Sequence, residues 1–259
     1  MGVTHLAIDN LTIAYKDKKT ATTTTLITQA TAELVASKLT VLLGINGIGK
    51  SSLLRVLAGL QTDYSGTVSV LGKNIHSYSL AEKATYMSVV LTEKPTHSYL
   101  TVEEVIALGR QPHTNWTGKL TEIDERIIAN SLKITQIEQL KNRYLHTLSD
   151  GQLQKTLIAR ALAQTSSIML LDEPTAHLDI CNKAEIWNVL KHIASHEQKS
   201  ILLTSHDIDF SLQLADVIWL IHDKQLLTFT PIELLQSNLL NHVFKSSYFR
   251  FDHDKMVML

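Results

Sequence analysis

The sequence predicts an α/β protein with a mixed central sheet, an N-terminal antiparallel β subdomain and one inserted α-helical lobe. Three observations predict it. A compact apolar run, Leu39 to Leu43, ends at a glycine and is followed by a helical pattern, and this strand–helix alternation returns after residue 165. The first 35 residues alternate apolar and polar side chains and hold a threonine-rich run, as antiparallel strands do. Between about residues 93 and 164 the pattern is helical instead. With 259 residues, a single domain spanning 1–259 with the lobe at about 93–164 inserted in it is expected.

Taken in order, His5 to Tyr15 and the threonine-rich stretch from Thr20 to Thr31, leading into Leu34-Val35, read as short antiparallel strands, the first around a turn at Asp9-Asn10. Leu39 to Leu43 reads as a buried strand feeding a loop, and Ser51 to Leu60 as a helix that Gly59 helps to end. Ser65-Gly66 opens a strand over Thr67 to Leu71. In the lobe, Thr101-Val-Glu-Glu104 is a capping box whose helix Gly109 closes, and Thr121-Glu-Ile-Asp124 starts another with Ile123, Ile127, Ile128 and Leu132 on one face. Strands at Ile168–Leu171, Ile201–Thr204 and Val217–Ile221 then alternate with a helix at Lys183–Ala194. Thr230-Pro-Ile-Glu233 is a capping box with proline at the first helical position.

Composition excludes several classes. Hydrophobic residues make up 44% and charged residues 19%, which supports a sizeable core. A net charge of −1, from 24 basic and 25 acidic residues, argues against nucleic acid as a partner, whose binding rests on phosphate neutralisation. The single cysteine, Cys181, forbids an intrachain disulfide and fits a reducing compartment; a small packed residue is its expected role. The first fifteen residues do not follow a signal-peptide pattern, and no run of about 18 apolar residues occurs, so a membrane role requires a partner.

Gly44-Ile-Asn-Gly-Ile-Gly-Lys-Ser51 matches G-x-x-x-x-G-K-[ST] in full, between a strand and a helix. Glycines 44, 47 and 49 let the backbone wrap a phosphate with its N–H groups inward, and the helix start adds its positive end. Lys50 then neutralises β- and γ-phosphates, and the Ser51 hydroxyl serves as a Mg²⁺ ligand. A glycine-rich turn with a chance lysine is the plain alternative, and the strand–loop–helix setting weighs against it. The motif points to a nucleoside triphosphate on a P-loop NTPase core.

Ser167-Ile-Met-Leu-Leu-Asp-Glu-Pro174 is an apolar strand running into two acids. Phosphoryl chemistry needs one carboxylate near Mg²⁺ and another to polarise the attacking water; Asp172 suits the first role and Glu173 the second. Acids that only end a sheet are the competing reading.

Leu148-Ser-Asp-Gly-Gln152 lies between these motifs, just before a helix with apolar positions 153, 157, 158, 161 and 162. Here the chain resembles the ATP-binding cassette family, whose signature usually reads Leu-Ser-Gly-Gly-Gln, and the resemblance covers roughly residues 4 to 230. It implies that Tyr15 stacks on adenine, that Asn46 and Ser52 join the ATP-binding loop, and that Asp179 in Ala176-His-Leu-Asp179 belongs to a loop at a dimer contact. His206 in Thr204-Ser-His206-Asp looks like the switch histidine, acting with Glu173 and Lys50 in catalysis. Ser149, Gly151 and Gln152 would meet the γ-phosphate held by a second copy, giving an ATP-dependent homodimer. Ser149 suits a helix N-cap, with Gln152 completing the box and Gly151 supplying flexibility.

Thr101-Val-Glu-Glu-Val-Ile-Ala-Leu-Gly-Arg-Gln-Pro-His113 and Leu178-Asp-Ile180 further resemble the ATPase subunits of ferric-siderophore, haem and cobalamin importers. That likeness implies separate transmembrane permease subunits, a substrate-binding protein, and a peripheral location on the cytoplasmic face of the cell membrane. The sequence departs from the family twice. Asp150 stands in the signature where glycine is usual. Val89 stands where the family places a Mg²⁺-contacting glutamine, and Glu93 or Thr92 is the nearest downstream substitute. Elsewhere, His192 and His196 read as a solvated helix face, Trp116, Trp187 and Trp219 as packing residues, and Arg110 to Trp116 as an exposed stretch able to touch a partner. The expected function is an import ATPase. A non-transport cassette of DNA repair or translation is the alternative, against which the short span between loop and signature and the single cassette both count.

Overall fold

The computed structural model describes residues 2–16, 23–92, 99–115, 118–237, 239–244, 251–252 and 257–258. The chain opens with β1 (Thr4–Lys16), β2 (Thr23–Val35) and β3 (Leu39–Leu43), then α1 (Lys50–Leu57), β4 (Tyr64–Val70), β5 (Lys73–Asn74), α2 (Leu80–Tyr86) and β6 (Met87–Val90). The helices α3 (Val102–Ala107), α4 (Glu122–Ile134) and α5 (Asp150–Ala163) follow. The second half runs β7 (Ile168–Leu171), α6 (Ile180–His196), β8 (Ser200–Thr204), α7 (Ile208–Leu214), β9 (Val217–His222), β10 (Gln225–Phe229), α8 (Pro231–Gln236) and α9 (Leu239–Val243).

Two sheets organise these elements. An antiparallel sheet has the order β2-β1-β4-β5, and a six-stranded sheet the order β10-β9-β3-β8-β7-β6. In the second, β9, β3, β8, β7 and β6 are parallel neighbours and β10 pairs antiparallel with β9. Its parallel strands are largely apolar on both faces, as a parallel sheet covered on both sides demands, whereas the edge strand β10 exposes Gln225 and Thr228. Leu39, Val41 and Leu43 face a core shared with α5, α6 and α7, and their counterparts Met169, Leu171, Ile201, Leu203, Ile218 and Leu220 join them. The alternate residues, among them Leu42, Leu170, Leu202 and Trp219, face a second core closed by α1 and by Leu6, Ile8, Leu11 and Ile13 of β1. A third, smaller core lies among α3, α4 and α5 around Val102, Ile106, Ile128, Leu132 and Ala159.

Several expectations need correction. The N-terminal strands are 13 residues each, and Asn10 (φ 50°) is an irregularity within β1, where the pairing with β2 shifts between Ile8 and Leu11, not a turn between two strands. Helix α2 escaped the periodicity because none of its residues is buried, although Ser79 and Glu82 form a complete capping box. Gly109 does not end α3 in a left-handed turn; a Cβ there would lie 2.3 Å from the Arg160 carbonyl oxygen, so close helix packing demands glycine. On α4, Ile123 is 67% exposed while Asp124 is buried, because Asp124 accepts from Arg110 Nε at 2.8 Å. Arg110 is buried as well, its guanidinium also donating to the Ala163 carbonyl, so it is not part of an exposed contact stretch; Trp116 lies outside the described residues. Cys181 is exposed on the first turn of α6 and not packed. Trp187 and Trp219 are fully buried, and His192 and His196 are exposed with their rings stacked 4.3 Å apart. Among the described residues no helix is long and apolar enough to cross a membrane.

Candidate active site

The loop after β3 wraps to the start of α1. Gly49 caps α1 at φ 114° and its missing Cβ would sit 3.2 Å from Leu26; Gly47, at φ 75°, has nothing within 4 Å of its own and lies open to an approaching group. These conformations are costly for any residue with a side chain. Lys50 is 5% exposed, and its Nζ donates to the carbonyls of Gly44 at 2.9 Å and Ile45 at 3.3 Å. Burial holds its pKa below the usual lysine value, opposed by the nearby carboxylates of Glu173 and Asp172.

At the end of β7, one oxygen of Asp172 accepts from the Ser51 hydroxyl at 3.0 Å and from the Thr204 hydroxyl at 2.8 Å. Glu173 adopts φ 48°, a left-handed conformation unusual for a residue with a side chain and concentrated at functional sites. Its N–H donates to the Thr204 hydroxyl oxygen at 2.8 Å, and its Oε1 lies 2.7 Å from His206 Nε2. The loop carrying His206 is pinned by Asp207, which accepts from Thr175 at 2.8 Å and from Lys183 at 2.5 Å.

Asn46, Gly47, Gly49, Lys50, Ser51, Ser52, Glu173 and His206 together line an open cavity of about 450 Å³, with Leu26 of β2 completing its wall. Asp172 stands behind Ser51. The glycine loop, a helix N-terminus, a lysine and a carboxylate–imidazole pair thus converge on one space, an arrangement suited to a triphosphate and an attacking water. A larger cleft of about 660 Å³ between α4 and α6, lined by Lys133, Glu185, Asn188 and His192 among others, has no glycine loop or helix N-terminus aimed into it. The smaller cavity is therefore the candidate site.

Other expected residues fall elsewhere. Tyr15 is 61% exposed on β1 opposite Thr24 and is not among the cavity-lining residues. Ser149 caps α5, with the Gln152 N–H bonded to its hydroxyl and its own N–H to Gln152 Oε1. Asp179 caps α6 by accepting from the backbone and side-chain N–H groups of Asn182. Gly151 is required for contact more than for flexibility, since a Cβ would meet Asn182 Oδ1 at 2.4 Å. Ser149, Gly151, Gln152 and Asp179 thus form a second constellation, at the adjoining ends of α5 and α6. Of the two substitutes for the missing glutamine, Glu93 lies outside the described residues, and Thr92 donates its hydroxyl to the Asp172 carbonyl at 3.2 Å. Sequence reasoning missed Leu26, Asn182, Lys183 and the roles of Thr204 and Asp207; the quoted Thr-Ser-His-Asp run held the only signal for the last two.

Residues 27–176 match the family described as ABC transporter. The chain belongs to that family and is an ABC ATPase. A petrobactin import ATP-binding protein of Bacillus anthracis is 32% identical over 93% of this chain and 86% of its own length. An iron(3+)-hydroxamate import ATP-binding protein of Bacillus subtilis is 31% identical over 93% and 87%. Among solved structures, a metal-chelate type ABC transporter in an inward-facing conformation superposes with a TM-score of 0.79 at 25% identity, covering 93% of this chain and 89% of that one. A non-transport role draws no support from these relatives, which are named for import or transport.

Proposed function

We propose that this ABC ATPase is the ATP-hydrolysing subunit of an importer that carries a metal complex of the iron–siderophore, haem or cobalamin type through a separate permease. The observation that carries the reading is the convergence of Lys50, Ser51, Glu173 and His206 on one cavity in a chain whose relatives are named for import of such cargo. The triphosphate lies along the loop 44–51, with Lys50 released from the loop carbonyls to neutralise its β- and γ-oxygens. Tyr15 stacks on the adenine. Glu173 accepts a proton from the attacking water while His206, paired with it at 2.7 Å, holds the γ-phosphate and the carboxylate in line.

Ser51 and Asp172, with hard oxygen donors 3.0 Å apart, fit Mg²⁺ and would hold it; that ion supplies charge stabilisation for phosphoryl transfer when bound. Thr92 or Glu93 replaces the glutamine that Val89 lacks. The second constellation, Ser149, Gly151, Gln152 and Asp179, serves the nucleotide held by another copy, so two ATP molecules join a head-to-tail homodimer. Closure of that pair moves the permease, which receives its cargo from a substrate-binding protein, and the subunit sits peripherally on the cytoplasmic membrane face. Co-purification with a permease from membranes, followed by ATP-driven uptake of ferric siderophore, haem and cobalamin into vesicles, tests the reading. Uptake of one of these only with active subunit is expected. Failure to associate with any permease would overturn it.

A further inference from the structure

Thr204 is the last residue of β8 and has no exposed surface. The rest of that strand is buried, with Ile201, Leu202 and Leu203 packed into the two cores flanking the sheet. A valine of the same shape would pack there equally well, and burying a hydroxyl is unfavourable unless its bonds are made. Both are made. Because Leu171 pairs with Leu203 across the parallel ladder, the next residues on the two strands meet at the mouth of the site. The Thr204 hydroxyl donates to the Asp172 carboxylate at 2.8 Å and accepts the Glu173 N–H at 2.8 Å.

Each bond bears on a different part of the chemistry. The first falls on the Asp172 oxygen that also takes the Ser51 hydroxyl, so Thr204 and Ser51 fix that carboxylate from two sides. The second satisfies the N–H of a residue at φ 48°, a conformation that persists only when its surroundings enforce it. That conformation directs the Glu173 carboxylate to His206. Thr92 secures the same corner by donating to the Asp172 carbonyl.

We propose that Thr204 is a positioning residue for ATP hydrolysis, whose one hydroxyl aims the metal-side carboxylate of Asp172 and holds the Glu173 peptide in its working conformation. The proposal rests on the roles given above to Asp172 and Glu173. A space-filling role and a positioning role predict opposite results for two substitutions. Thr204→Val keeps the shape and loses both bonds, whereas Thr204→Ser keeps the hydroxyl and loses a methyl group.

The test measures steady-state ATP hydrolysis by the purified protein. It also measures Mn²⁺ binding to the ATP-loaded protein by electron paramagnetic resonance in a Glu173→Gln background, where turnover plays no part. Thr204→Val is expected to lower kcat by about 10- to 100-fold with little change in KM, and to weaken Mn²⁺ binding several-fold, as loss of an outer hydrogen-bond partner does. Thr204→Ser is expected to restore most of both. A valine variant with parental kcat and Mn²⁺ affinity, or a serine variant as damaged as valine, overturns the proposal. Should valine prevent folding, Thr204→Cys, with only a weak S–H donor, is judged by the same criteria. Glu173→Gln alone separates the two levels. If it hydrolyses ATP at the parental rate, the reading of the site fails; if it is inactive while Thr204→Val is active, only the role of Thr204 fails.

Discussion

Lys50 and Glu173 bring opposite charges to the same cavity, and the proposed mechanism has them act at different stages. The Lys50 ammonium is bound by two carbonyls of its own loop and is poised to exchange them for phosphate oxygens, a stronger charge-assisted contact. Lys50→Ala is therefore expected to weaken ATP binding by tenfold or more, about 1.4 kcal/mol or above, as measured with a fluorescent nucleotide. Unchanged affinity would remove the loop from the account. These residues were legible because their motif is contiguous and sits between a strand and a helix. Thr204 and Asn182 were not, since their meaning lies in contacts made across the fold: Thr204 acts on residues 31 and 32 positions away, and Asn182 sits against Gly151. Cys181 was misjudged because it lies on the first turn of α6, ahead of the buried face that begins at Ile186.

Among the elements, a helix start was readable where a cap and its partner three residues on preceded an apolar periodicity; the equally complete box at Ser79 was passed over because α2 buries no residue. The boxes at Thr101, Thr121, Ser149 and Thr230 all form both of their bonds. What was illegible is the second use made of the acid that closes one of them, Asp124. Asp124 caps α4 through Thr121 and also pairs with Arg110, both side chains being 6% exposed, and this ties α4 to the end of α5. Hydrogen bonds from Thr121, then from Arg110, lower the Asp124 pKa from 3.8 to about 2. The stability this confers is full above pH 4 and is lost as pH falls through about 2, where the carboxylate protonates in the folded state. Asp124→Asn strands a buried guanidinium, so a loss of about 3 kcal/mol is expected at pH 7. Denaturant midpoints measured from pH 7 to pH 2 should show the gap from the parent narrowing at the acid end. A gap that stays constant would mean the ion pair contributes nothing.

For the whole molecule, the decisive feature is that the loop cavity and the second constellation at α5 and α6 share no lining residue. Two copies placed head to tail would bring one of each to every nucleotide. Ser149→Arg is accordingly expected to leave ATP binding to the isolated subunit nearly intact while suppressing hydrolysis, and equal loss of both would place Ser149 in its own subunit's site. The two-sided burial of β3 and β7 followed from apolar runs in the sequence, whereas the strand order was not legible there, because it depends on which strands pair across the fold. Size-exclusion chromatography of Glu173→Gln with Mg²⁺ and radiolabelled ATP decides whether Glu173 is the base in an ATP-clamped pair. A dimer retaining unhydrolysed ATP, about two molecules per pair, is expected. A monomer, or label recovered as ADP at the parental rate, would contradict that role.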